Sequence, residues 1–158
     1  MLDLYRSDSD SEVRFECAVV LGRAGLAGAA RALASGVQHD INPRVASSSL
    51  VALGRLLDKH PDDAAVRASA KEAAKYWVRC GRFSSYIDAL GILRSLKDRA
   101  CIPDLERLVP RVRPASQTRI VDVIHDIGGP EASAALRRIR SGAGNSELRA
   151  HVGQLLGQ

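Results

Sequence analysis

Apolar side chains recur along this chain at helical spacing. Val13, Cys17, Val20 and Leu21 fall at i, i+4, i+7 and i+8, and Leu148, Val152, Leu155 and Leu156 repeat that pattern. Phe83, Ile87 and Leu90 trace a similar stripe, as do Ile120, Ile124 and Ile127. No useful length alternates with period two, so helices are expected throughout and strands are not.

The stripes belong to an internal repeat. Residues 12–22 and 147–157 both begin Glu-aliphatic-Arg and end aliphatic-Leu-Gly, with no gap between. The ending recurs at Leu53-Gly54, Leu90-Gly91 and, with Ile for Leu, Ile127-Gly128, giving spacings of 32, 37, 37 and 29 residues. That is the length of a helix–turn–helix unit. If the five marks are true repeats, they sit on equivalent turns of successive hairpins.

Breaks and caps fit this division. Gly25, Asp58 to Pro61, Lys97 to Arg99 and Gly128-Gly129-Pro130 interrupt the pattern, where Gly allows a left-handed helix exit and Pro suits a first turn. Second helices are then expected near 26–36, 62–79, 100–109 and 131–140. Asp62-Asp63 and Glu131 place negative charge at helix starts, where the dipole favours it. Asp10 or Ser11, Asn42, and Asn145 or Ser146 are the expected N-caps of first helices. Residues 1–6 read as the tail of a second helix, and Leu155 to Gln158 close a first helix without its partner. The expectation is one repeat domain over 1–158, a fragment of a longer solenoid or a chain whose ends self-associate.

An aliphatic-Arg pair, a small residue, Leu-Gly, a short turn, and then Ala with Leu four or five later resembles HEAT repeats. It is most similar to the short type also found in bilin lyases. Residues 100–108 and 132–136 carry the second-helix half. Val45 to Ser49 and Thr118-Arg119-Ile120 depart from it, so those two repeats are expected to be the least regular. The resemblance implies an all-α, right-handed α-α superhelix of about four to five helical hairpins, a HEAT-like solenoid. It further implies a scaffold that binds a protein or peptide.

Composition adds limits. Of 158 residues, 46% are hydrophobic but only 4% aromatic, so close packing through small side chains is expected. No apolar run reaches the roughly 18 residues of a membrane helix, and no secretory leader pattern opens the chain. Cys17, Cys80 and Cys101 are odd in number and far apart, and read as small apolar side chains in a reducing, cytoplasmic setting.

Catalytic chemistry has no visible seat. His39, His60, His125 and His151 lack metal-ligand spacing and read as solvated turn or cap residues. Ser47-Ser48-Ser49 and Ser84-Ser85 lack a nucleophile elbow, and Gly22 to Gly28 lacks the Lys-Ser/Thr of a phosphate loop. No enzyme activity, cofactor or metal is expected.

Charge supplies the candidate sites. The net charge is +5, and residues 79–158 hold 13 Lys/Arg against 8 Asp/Glu, whereas residues 1–78 are balanced at 10 and 10. Arg107, Arg111, Arg113, Arg137, Arg138 and Arg140 close two successive second helices, which lie side by side in a solenoid. They would form one electropositive strip for an acidic partner, protein or nucleic acid. The competing explanation is that helix dipoles favour cations at C-termini. A second candidate is Lys75, Tyr76, Trp77 and Arg79, an aromatic between cations suited to base stacking; core filling is the alternative for Trp77. The leading expectation is protein–protein interaction. Nucleic-acid binding by the C-terminal arginines, and an accessory repeat region of a bilin lyase or metallopeptidase, are the alternatives. The peptidase zinc motif His-Glu-x-x-His is absent.

Overall fold

The computed structural model describes residues 1–80 and 86–157. Phe83, the Gly81-Arg82 joint and Ser84-Ser85 lie outside the described residues, as does Gln158. Among the described residues the chain is all-α, with ten α-helices and no strand. None is long and apolar enough to cross a membrane.

The helices are α1 (Leu2–Ser7), α2 (Ser11–Ala24), α3 (Ala30–His39), α4 (Pro43–Lys59), α5 (Ala64–Cys80), α6 (Tyr86–Leu96), α7 (Ile102–Leu108), α8 (Pro114–Ile127), α9 (Gly129–Gly142) and α10 (Ser146–Leu155). Single 3-10 turns lead into α3 and α7 and follow α7. The chain divides into two compact units, residues 1–92 and 93–158.

In the first unit α2 packs beside α4, and α3 beside α5, with α3 and α5 both lying against α4. First helices therefore form one layer and second helices another. The second unit has the same internal plan: α8 neighbours α10, and α7 neighbours α9. Ala18, Leu33, Leu50, Leu53 and Leu56 fill the first core, and Leu105, Ile120, Ile124 and Leu136 the second.

Helix starts are set by short polar side chains. Asp10 accepts from the Glu12 N–H at 2.8 Å, Asn42 from Arg44 at 2.9 Å, and Asn145 from Glu147 at 2.9 Å. Asp63 does the same for α5, accepting from Ala65 and Val66 at 2.8 and 3.0 Å. Four residues after three of these caps stands an arginine that reaches back six residues to a carbonyl. Arg14 bonds Asp8 at 2.8 Å, Arg67 bonds Pro61 at 2.9 Å, and Arg149 bonds Ala143 at 2.7 Å. In α2, α5 and α10 an aliphatic-Arg pair thus fastens the helix start to its incoming loop, whereas α4 has Ala46 at that position. In α8, where the repeat departs from that pattern, Arg113 at the N-cap makes no side-chain capping bond.

The five glycine marks are not equivalent turns, which corrects the sequence expectation. Gly22, Gly54 and Gly91 lie inside α2, α4 and α6, whereas Gly128 and Gly157 stand beyond helix ends with φ of 73° and 70°. Their shared feature is distance from the cap: Gly22, Gly54 and Gly157 each follow their N-cap residue by twelve positions (10 to 22, 42 to 54, 145 to 157). At Gly22 the requirement is closeness, since a Cβ there would lie 2.7 Å from the Ala52 Cα. One dipeptide serves two physical needs, close helix packing and helix exit. The actual exit from α2 is Gly25, in the left-handed region as expected.

Buried polar links tie the first unit. The Arg14 guanidinium grips the Asp40 carboxylate with two bonds of 2.9 and 3.0 Å, their side chains only 13% and 9% exposed. Burial alone would raise the Asp40 pKa. The bonds from Arg14 and from the Asn42 N–H outweigh that and hold it below the ordinary carboxylate value. Tyr5 of α1 reaches Ser49 of α4 at 2.7 Å, and Ser49 in turn donates to the Val45 carbonyl at 2.7 Å. Because that carbonyl can only accept, the phenol is the donor to Ser49. Burial pushes the Tyr5 pKa up to about 12, against a smaller lowering from the Ser49 bond.

Candidate functional site

The six arginines fall on or beside α7 and α9, and these two helices are neighbours in the second unit. Their side chains do different work. Arg107 folds back along its own helix to Asp104 at 2.6 Å and the Pro103 carbonyl at 3.2 Å. Arg138 forks onto Glu106 with two 2.8 Å bonds, joining α9 to α7. Those bonds, and the attraction behind them, hold the Glu106 carboxyl below its usual range. Arg140 is half-buried with an interaction of its own.

Arg111, Arg113 and Arg137 are exposed and have no carboxylate partner among the described residues. The dipole explanation covers Arg111, just past α7, but not Arg137, which lies more than a turn before the end of α9. It fails for Arg113, the N-cap of α8, where the helix dipole opposes a cation. The exposed part of the strip is therefore narrower than the sequence suggested. It centres on the 109–113 joint.

That joint also builds a cavity. Val109, Pro110, Pro114, Ile139 and Leu148 line a space of about 440 Å³, bordered by the Glu106–Arg138 pair. Gln117 of α8 donates from Nε2 to the Val109 carbonyl at 3.1 Å, which anchors the joint to α8. Pro110 and Pro114 stiffen the segment that carries Arg111 and Arg113. A largely apolar recess thus adjoins the segment that carries Arg111 and Arg113. Sequence reading missed the cavity because its walls come from two separate stretches of the chain, 106–117 and 138–148; the prolines flanking an arginine joint were its only signal.

Other candidates resolve differently. Trp77 is 1% exposed in the first core, so its ring is not offered to a base, and Tyr76 donates to the Gln38 carbonyl at 3.0 Å. Lys75 is half-buried, and Arg79, though exposed, has an interaction of its own. Among the histidines, His39 and His125 are exposed, but two are structural ties. His60 donates from Nε2 to the Gly25 carbonyl at 2.7 Å, and His151 to Asp122 at 2.7 Å. The second partner lies on another helix, out of reach of sequence neighbourhood. Cys17 and Cys101 are buried, in keeping with small apolar side chains, whereas Cys80, at the end of α5, is exposed. Ser48 and Ser49 are buried within α4 and return their hydroxyls to the Val45 carbonyl. Among the described residues no group of three or more His, Cys, Asp or Glu is placed to hold a metal ion.

No protein-family model matches the chain, and no curated protein matches it.

Proposed function

We propose that this chain is a protein-interaction module of HEAT-like repeats, forming a right-handed α-α superhelix, that binds an acidic segment of a partner protein. The observation that carries this reading is the joint at 109–113. Arg111 and Arg113, exposed and without a carboxylate partner among the described residues, share this joint with the cavity-lining Val109, Pro110 and, just past it, Pro114, and Arg137 is on the adjoining α9. The cations would hold carboxylates, and the cavity would take one aliphatic anchor. Anchors in desolvated recesses supply most binding energy, while rim charges set specificity and on-rate. No catalytic step is assigned to these residues, and a cytoplasmic setting remains part of the proposal.

The test is a titration of the full chain with a labelled glutamate-rich peptide bearing one leucine, followed by fluorescence anisotropy. Binding is expected to weaken as salt rises. Arg111→Glu/Arg113→Glu/Arg137→Glu is expected to lower affinity at least tenfold, equivalent to about 1.4 kcal/mol. Ile139→Glu, which places a charge in the recess, should do the same. Equal binding by the variants overturns the reading. A duplex DNA that displaces the peptide and binds more tightly would favour the nucleic-acid alternative instead.

A further inference from the structure

A second surface, in the first unit, plays no part in the site above. Phe15, Val19 and Arg23 of α2, spaced i, i+4 and i+8, line a groove of about 630 Å³ with Arg44, Val51 and Arg55 of α4. The two helices run side by side in the same direction. Glu12 meets Arg44 near their starts, and the Lys59 ammonium meets the Arg23 carbonyl near their ends. From Arg44 to Arg55 the groove extends about 16 Å, or three helical turns.

Its floor and its ends differ in chemistry. Phe15, Val19 and Val51 are each partly exposed, and Ser48, also in the wall, has its hydroxyl returned to the Val45 carbonyl at 3.0 Å. With Ser47, half-buried, the only other hydroxyl in the wall, the floor is mainly apolar. At the near end Arg44 is already engaged, lying 4.6 Å above the Phe15 ring and 2.9 Å from Glu12. At the far end Arg23 and Arg55 are exposed and have no carboxylate partner among the described residues. A nucleic-acid backbone needs cations spaced along its whole track. This groove instead offers an apolar strip that ends in two open guanidinium groups.

We infer that the groove receives an amphipathic acidic helix of a partner protein. Its aliphatic stripe would lie on Phe15, Val19 and Val51, and its carboxylates would reach Arg23 and Arg55. Length, apolar floor and charge all fit about three turns of such a helix. The inference does not depend on the α7–α9 surface.

The probe is a labelled helical peptide of about fourteen residues, with leucines on one stripe and glutamates flanking it. A control peptide carries lysines in place of the glutamates. All arms use the full chain carrying Arg111→Glu/Arg113→Glu/Arg137→Glu, which closes the other acidic-peptide site, and this chain is expected to bind the acidic peptide at least tenfold more tightly than the control. Arg23→Glu/Arg55→Glu should abolish that preference, and Val19→Glu should weaken binding while circular dichroism stays unchanged. Equal binding of both peptides, or retention by Arg23→Glu/Arg55→Glu, overturns the inference. So would sedimentation showing a dimer that the Arg23→Glu/Arg55→Glu chain loses, with no peptide bound; the occupant would then be a second copy.

Discussion

The two units differ in how far their polar links are shielded from water: in residues 1–92 two of them lie largely buried, beside the exposed Glu12–Arg44 pair, whereas in residues 93–157 the arginine–carboxylate pairs among the described residues keep their arginines exposed. Arg14–Asp40 and Tyr5–Ser49 belong to the first kind. Arg138–Glu106, Arg94–Asp126 and Arg99–Glu131 belong to the second, each with its arginine more than half exposed. The difference matters because burial strips water from charges, so a buried pair must be fully satisfied by protein groups and is costly to break. Asp40 meets that demand with two bonds from Arg14 and one from the Asn42 N–H. An exposed pair can exchange partners with water or with another molecule at little cost. In the second unit Arg111, Arg113 and Arg137 are exposed and have no carboxylate partner among the described residues. The first is locked by polar bonds that leave less freedom.

Breaking the buried links should give the largest effects. Asp40→Ala leaves the part-buried Arg14 guanidinium without its carboxylate, and is expected to cost about 3 kcal/mol in urea unfolding. The same pair sets an acid limit. Since the folded Asp40 pKa is depressed, its contribution is present above the ordinary carboxylate pKa and lost as pH falls through the folded value. Asp40→Asn should flatten that acid limb of the stability profile; an unchanged limb would mean another carboxylate governs it.

Alkali tests the other buried link. The neutral Tyr5 phenol is favoured in the fold, so its stabilisation is full below pH 10 and disappears between pH 10 and about 12. Wild type should lose roughly 2–3 kcal/mol more than Tyr5→Phe across that interval, a shift of two pKa units converted at 1.36 kcal/mol each. Parallel alkaline profiles for the two proteins would contradict the burial of this hydroxyl.

Gly36 sharpens the same point. A Cβ at this position of α3 would lie 1.7 Å from the Tyr5 hydroxyl oxygen, so Gly36→Ala should expel the ring and cost about 2 kcal/mol. In a Tyr5→Ala background the same change should cost nothing, or stabilise by up to about 1 kcal/mol through helix propensity. Additive effects in this double-mutant cycle would deny that the two residues touch. Glu106→Gln, which loosens the exposed fork on Arg138, is expected to leave the unfolding midpoint unchanged. A large fall there would erase the contrast between the units.

Local signals in the sequence were legible and distant ones were not. Asp10, Asn42 and Asn145 cap the helices they were expected to cap, and Gly25 makes its left-handed exit, because each effect acts within a few residues. The side-by-side placement of α7 and α9 followed from the repeat length. What stayed hidden needed partners far along the chain. Arg138 looked like an open cation until Glu106, 32 residues away, was seen beneath it, and Ser49 looked like a small packing residue until Tyr5, 44 residues away, met it. The glycine marks misled for a different reason. Glycine is chosen both for positive φ and for lack of a Cβ, and sequence alone does not separate the two.

The most direct test of the account is an amide NMR titration of the full chain with the leucine-bearing acidic peptide. The expected result is a set of saturable shifts at Val109, Arg111, Arg113, Arg137 and Leu148, reversed by salt. Shifts that avoid the 109–113 joint, or none at concentrations where the peptide is bound, would contradict it.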